Sequence, residues 1–153
     1  MANTLKQMKK FMLLVAAVVT LAARLNAQDW QLNIEQAKQI AQNENKTIIL
    51  VFQGSDWCAP CIRLDKEVWS TQAFIDYSKE HFVMLKADFP RKKQNALDEE
   101  QTVHNKKLAE TYNQQGYFPY VVLLDAEGEV LGSTGYKKMA PSEYIAHLES
   151  FIQ

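Results

Sequence analysis

Thr47-Ile48-Ile49-Leu50-Val51-Phe52-Gln53-Gly54-Ser55-Asp56-Trp57-Cys58-Ala59-Pro60-Cys61 carries the only two cysteines of the chain, directly behind an apolar run. The unbroken, β-branched pattern over residues 47–52 predicts a strand buried on both faces. Gln53-Gly54-Ser55-Asp56 reads as the turn that follows it. A helix is expected from about Ala59 to Val68, so both sulfurs lie at its start. A helix N-terminus carries about half a positive charge, and the thiolate is the form that attacks a disulfide. Cys58, the outer and solvent-reachable sulfur, is therefore the candidate nucleophile. Cys61, one turn on, is placed to close the ring as the resolving thiol. Ala59 and Pro60 complete the loop between them, and Pro60 lacks an N–H that a first helical turn leaves unpartnered anyway. A bridge over two intervening residues restricts the unfolded chain little, so its value is chemical more than structural.

The flanking sequence supplies the rest of the fold. Asn33 fits a helix N-cap with Gln36 at the capping-box position, and Ile34, Ala37, Ile40 and Ala41 form one apolar stripe, predicting a helix over 34–44. Asp29 to Asn33 reads as a lead-in to it. On the other side, Ser70 is expected to cap a second short helix with Phe74, Ile75 and Tyr77 facing inward. Residues 82–87 read as the next strand. Pro90 stops it, and residues 91–101 are polar and without apolar period, an exposed loop or a frayed helix start. Within them Arg91-Lys92-Lys93 reads as solvated. Val103, Leu108 and Tyr112 mark a helix ending near Gln115-Gly116. Residues 120–124 form a third apolar strand, Asp125-Ala126-Glu127-Gly128 a tight turn, and 129–133 the hairpin partner. Pro141 opens a last helix with Tyr144, Ile145, Leu148 and Phe151 on its buried stripe. The order α-β-α-α-β-α-β-β-α predicts an α/β fold, a mixed sheet with helices on both faces.

At the N-terminus, Lys6, Lys9 and Lys10 precede a 13-residue apolar stretch, Phe11 to Ala23, that only Thr20 interrupts. Leu25-Asn26-Ala27 then offers a small residue before a cut. This is the layout of a secretory signal peptide over residues 1–27, leaving one domain over residues 28–153. A membrane span needs about 20 apolar residues, more than this stretch holds. Export places the dithiol in an oxidising space, the periplasm or another extracytoplasmic compartment. Beyond residue 27 the chain keeps 13 Lys and Arg against 18 Asp and Glu, a net charge of −5. Such an acidic body argues against a nucleic-acid partner. His81, His104 and His147 are scattered and none is near a cysteine in sequence, so no zinc site and no cofactor are expected.

Trp57-Cys58-Ala59-Pro60-Cys61, Gly116-Tyr117-Phe118-Pro119-Tyr120 and the closing hairpin and helix together resemble the thioredoxin superfamily over roughly residues 34–152. Gly54-Ser55-Asp56-Trp57-Cys58 and Lys86-Ala87-Asp88-Phe89-Pro90 are more similar to the exported bacterial thioredoxin-like disulfide reductases and isomerases than to small cytosolic thioredoxins. The resemblance implies a thioredoxin-like fold and a cis bond before Pro119, an isomer that X–Pro bonds adopt at little cost. It also implies that the Phe118 main chain pairs with an extended substrate. Trp57 would cover one side of the sulfurs and offer substrate an apolar contact. Two departures stand out. The family's buried aspartate, six residues before the first cysteine, is Phe52 here, and Lys86 aligns with the lysine that partners that acid, which leaves it at most an auxiliary. The stretch from Asp88 to Pro119 is also longer, the excess lying in residues 91–101. Asp56 is read as a cap for its own turn.

The reading that follows is an exported thiol–disulfide oxidoreductase, reducing or isomerising protein disulfides and drawing electrons from a membrane partner. Oligomeric state is not legible. Two alternatives stay open: a peptide-binding module with inert cysteines, and Cu(I) delivery through Cys58 and Cys61, which a cis-proline beside the sulfurs would obstruct.

Overall fold

The computed structural model describes residues 27–152, and the leader read from the sequence lies outside them. The elements are β1 (Trp30–Gln31), α1 (Ile34–Glu44), β2 (Thr47–Gln53), α2 (Ala59–Leu64), α3 (Gln72–His81), β3 (Phe82–Asp88), α4 (Glu99–Tyr112), β4 (Tyr120–Leu124), β5 (Val130–Thr134) and α5 (Pro141–Glu149). The strands form one five-stranded sheet in the order β1-β3-β2-β4-β5. β1, β3 and β2 run parallel, whereas β4 is antiparallel to both β2 and β5. The predicted mixed sheet is thus the observed one.

Alternation along β2 divides the core. Ile49 and Val51 join Leu64, Trp69, Phe74, Tyr144 and Leu148 under α2, α3 and α5. Ile48, Leu50 and Phe52 join Ala37, Ala41 and Leu108 under α1 and α4. A strand buried on both faces needs this unbroken apolar run, and burying each large side chain contributes about 1.5–3 kcal/mol. Parallel β2 and β3 both end at the same edge of the sheet, since Gln53 stands beside Asp88 in the register. The loops after these two strands therefore meet there.

Several elements differ from expectation. The lead-in before α1 is a short edge strand, with Trp30 and Gln31 pairing beside Met84 and Leu85 because that side of β3 is otherwise open. The helix begun at Ala59 continues as a π-turn, Asp65–Trp69, closed by the Ser70 N–H donating to the Asp65 carbonyl at 2.8 Å. The wider turn lets both Val68 and Trp69 enter the core. Ser70 is consumed as its C-cap, and Thr71 caps α3 instead. Tyr77 packs only at the core margin. Helix α4 ends at Tyr112, earlier than expected, and Val103 is exposed while Asn105 takes the inward position. Asn105 is tolerated there because its Nδ2 donates to the Asp88 carbonyl at 2.9 Å and its Oδ1 accepts from Gln101.

Candidate active site

The turn after β2 is shaped by a glycine. Gly54 O accepts from the N–H groups of Trp57 and Cys58, at 3.3 and 2.9 Å. A Cβ on Gly54 would lie 2.2 Å from the Trp57 indole, so only glycine admits this turn. From β3, the Asp88 carboxylate accepts from the Ser55 N–H at 2.9 Å and from its hydroxyl at 2.6 Å. Cys58 is then the N-cap of α2, with an extended backbone, and the Cys61 N–H donates to Cys58 Sγ at 3.3 Å. Ala59 and Pro60 occupy the first helical turn, and the two cysteines are bonded as a disulfide across a Cα separation of 5.2 Å.

Solvent access departs from the sequence reading. Cys58 and Cys61 are each only 4% exposed, so in the oxidised state the outer cysteine is no more open than the inner one. Each bonded sulfur covers the other, and the Cys58 backbone is drawn in by Gly54. On the Cys61 side lies a cavity of about 120 Å³ lined by Gln53, Ser55, Cys61, Ile62 and Asp65.

The Phe118–Pro119 peptide is cis. The ladder between β2 and β4 ends at the Phe52–Tyr120 pair, so Phe118 lies beyond its last rung. Phe118 sits between two rings, with centroids 5.4 Å from Trp57 and 5.5 Å from Phe89. The loop before it hangs on buried Asn113, whose Nδ2 donates to Tyr117 O at 2.9 Å while its Oδ1 accepts from Tyr117 N at 3.0 Å. Sequence reasoning missed Asn113. Its signal was an Asn just past a helix end and three residues before Gly116, which takes φ +66°.

Phe52, at the position of the family acid, is fully buried and stacked on Tyr120 at 6.4 Å. Lys86 is not brought to it. Alternation puts Lys86 on the other face of the sheet, where its ammonium lies 4.6 Å over the Trp30 ring. Burial pushes the Lys86 ammonium below its usual range, and the Asp65 and Asp88 carboxylates partly offset this. Asp65, also overlooked in the sequence, lines the cavity beside Cys61 and is one of the two carboxylates whose charge acts on Lys86.

Asp56 does not cap its own turn. Its Oδ1 accepts from the Arg91 N–H at 2.9 Å, and its Oδ2 accepts from the Lys92 N–H at 3.0 Å and Asn95 Nδ2 at 2.9 Å. Accepting these donors holds its carboxyl below the usual aspartate range, the Arg91 N–H contributing most. The residues after Pro90 are therefore strapped to the cysteine loop, not left loose in solvent. Trp57 ties the same two segments, its Nε1 donating to Phe89 O at 2.7 Å while the Arg91 guanidinium lies 3.7 Å over its ring. Among the described residues, no group of three His, Cys, Asp or Glu could hold a metal ion, and no helix is long and apolar enough to cross a membrane.

With this geometry in hand, the chain can be set against known proteins. The family described as Thioredoxin-like domain matches residues 34–152. Disulfide bond reductase DsbH of Chlamydia pneumoniae is 33% identical over 132 residues, which is 86% of this chain and 75% of that protein. A solved structure of a DsbH oxidoreductase superposes with a TM-score of 0.76 at 30% identity, covering 82% of this chain and 85% of its own. The disulphide isomerase from Xylella fastidiosa Temecula1 shares the fold, with a TM-score of 0.58 at 22% identity over 78% of this chain and 88% of its own. The chain belongs to the thioredoxin-like domain family, and it is a protein-disulfide oxidoreductase that carries a Cys58–Cys61 disulfide.

Proposed function

We propose that this protein reduces or isomerises disulfides of other proteins in an extracytoplasmic compartment, with Cys58 as attacking thiol and Cys61 as resolving thiol. The observation that carries the reading is the Cys61 N–H directed at Cys58 Sγ at the opening of a helix, 3.3 Å away. In the reduced protein that donor and the helix end both favour a Cys58 thiolate. The thiolate attacks one sulfur of the substrate disulfide. A Cys58–substrate bond forms, the substrate disulfide breaks, and its second sulfur leaves as a thiolate that takes up a proton. Cys61, as thiolate, then attacks Cys58 Sγ. The Cys58–Cys61 bond closes, the mixed disulfide breaks, and the substrate leaves reduced by two electrons while the protein is oxidised by two. An external dithiol, supplied by a membrane partner, must restore the starting state.

The other side chains have distinct parts. Cys61 must lose its proton before resolving. With Phe52 in place of the family acid, the cavity that Cys61 shares with Asp65 offers the route. Extended substrate pairs with the free main chain at Phe118, beside the cis Pro119, and Trp57 supplies an apolar wall. The low exposure of Cys58 in the oxidised protein supports an approach of substrate beside Trp57 and Phe118. The basic and apolar N-terminal segment supports export.

Two measurements test the reading. A Cys61→Ser variant expressed in its own compartment should accumulate mixed disulfides with partner proteins, identifiable by mass spectrometry; their absence counts against catalysis there. Titration of the couple against glutathione should give a reducing potential, and a strongly oxidising value would reverse the direction. The shielding of both sulfurs is what would speak for a different division of roles, in which Cys58 is not the attacking thiol. In that case alkylation of reduced Cys58 would follow an ordinary thiol titrating near pH 8.5.

A further inference from the structure

The strap after Pro90 presents Arg91 at the rim of the redox centre in an uncommon state. Its guanidinium carbon lies over the ring of Trp57, the residue preceding Cys58, at 3.7 Å from the centroid. A guanidinium held over a ring in this way still has N–H donors to offer a carboxylate. No carboxylate of the described residues stands within ion-pair distance of it, the one ion pair among them being Lys46–Glu44. The nearby acid, Asp56, spends its two oxygens on the backbone N–H groups of Arg91 and Lys92 and on Asn95. The Arg91 main chain is therefore pinned while its charged head has no counter-ion among the described residues. Such a group is ordered before any ligand arrives, which lowers the entropic cost of binding one.

The charge around it has the same sense. Lys92 and Lys93 follow directly and are exposed, although the chain beyond residue 27 carries five more acids than bases. Positive charge is thus gathered on the rim of the cysteine loop against the sign of the body. We propose that Arg91, held over Trp57, is the receptor for a carboxylate flanking the substrate disulfide, so that the protein prefers disulfides set in acidic segments. This rests on the reading above, in which Cys58 attacks an extended chain lying beside Trp57 and Phe118. At about 3.3 Å per residue of extended chain, an Asp or Glu one or two positions from the attacked cysteine falls within reach of the ring next to Cys58. A planar guanidinium binds such a group with two parallel hydrogen bonds, and the exposed lysines add attraction at longer range.

The test uses the full reduced protein and three synthetic peptides, each with one internal disulfide, that differ only in having Glu, Gln or Lys beside the cysteines. The readout is the ratio of second-order reduction rates within each protein, which general damage to a variant does not move. Wild-type protein should reduce the Glu peptide about tenfold faster than the Gln peptide, with the Lys peptide slowest, and the Glu:Gln ratio should shrink as salt is added. In Arg91→Gln the ratio should collapse to about one, and Arg91→Lys should keep part of it. Equal rates for Glu and Gln peptides in the wild type overturn the inference, as does a ratio that survives Arg91→Gln; either result makes Arg91 a cover for Trp57 only. If Arg91→Gln fails to fold, the salt dependence of the wild-type ratio decides. Failure to reduce any of the three peptides overturns the underlying reductase reading, and this inference with it.

Discussion

The two ends of the sheet are held together by different means. At the end carrying Cys58 and Pro119, side chains reach across the molecule: Asp88 to Ser55, Asp56 to Arg91, Lys92 and Asn95, and Trp57 to Phe89, over 32 to 39 residues of chain. At the other end the turns are mostly closed by their own residues. Asp125 Oδ1 accepts from the N–H groups of Glu127 and Glu129, two and four positions on. Asn45 ends α1 there in a left-handed conformation, its own N–H donating to the Ala41 carbonyl. Lys46 to Lys79 and Tyr112 to Gly128 add longer links there without changing the pattern. A turn that caps itself is a local event and tolerates change beyond it. A turn clamped by another loop has its geometry set by both, so the redox end should respond as one unit.

The comparison would break most completely if the chemistry were not confined to one end. Cys58→Ser should reduce protein-disulfide reduction to the uncatalysed background while leaving the melting temperature nearly unchanged, since the lost bridge closes so short a loop. Thermal unfolding beside a turnover assay checks both halves. Next in size is a pair of glycine substitutions. Gly54→Ala should cost about 1–3 kcal/mol and displace Trp57, lowering activity together with stability, because the added methyl meets an indole pinned on three sides. Gly128→Ala, at φ +94° in the far hairpin, should cost about 1–2 kcal/mol and leave turnover per folded molecule intact. Denaturant melts with paired rate measurements separate the two, and equal losses of activity would defeat the distinction.

Asn113→Ala removes both hydrogen bonds that hold the approach to Phe118. A loss of about 1–3 kcal/mol is expected, with a rise in KM larger than the fall in kcat if substrate pairs with that loop. Asp56→Asn and Asp125→Asn then compare the reach of a clamp with that of a cap. Hydrogen exchange should quicken at Arg91 and Lys92 in the first variant, some 35 residues from the substitution, and only within four residues in the second. The smallest effect is in acid. The Asp56 carboxyl is depressed in the folded protein, so its hold on the strap is complete above the ordinary value of 3.8 and is lost as pH falls through the lower folded value. Protection of the Arg91 and Lys92 amides should therefore persist to about pH 4 and weaken below it. Weakening near neutrality would mean that another group holds the strap.

The sequence by itself determined whatever depends on near neighbours. Strand β2, the stripe of α1 with its Asn33 cap, the hairpin at Asp125 and the placing of Cys58 and Cys61 at a helix start all follow from periods and turn chemistry spanning a few residues. Helix ends drifted where neighbouring turns competed, as at Ser70, whose groups the π-turn claimed. The tertiary structure alone decided what lies between distant segments. It turned Asp56 from a local cap into the anchor of the post-β3 strap and set Arg91 on Trp57. It also put Lys86 on the face away from Phe52, joined Asp65 to the cavity at Cys61, and shielded both sulfurs. The physical reason is that a carboxylate or indole near a turn can be satisfied equally well by its own backbone or by another loop's. Only the meeting of parallel β2 and β3 at one edge of the sheet makes the second partner available.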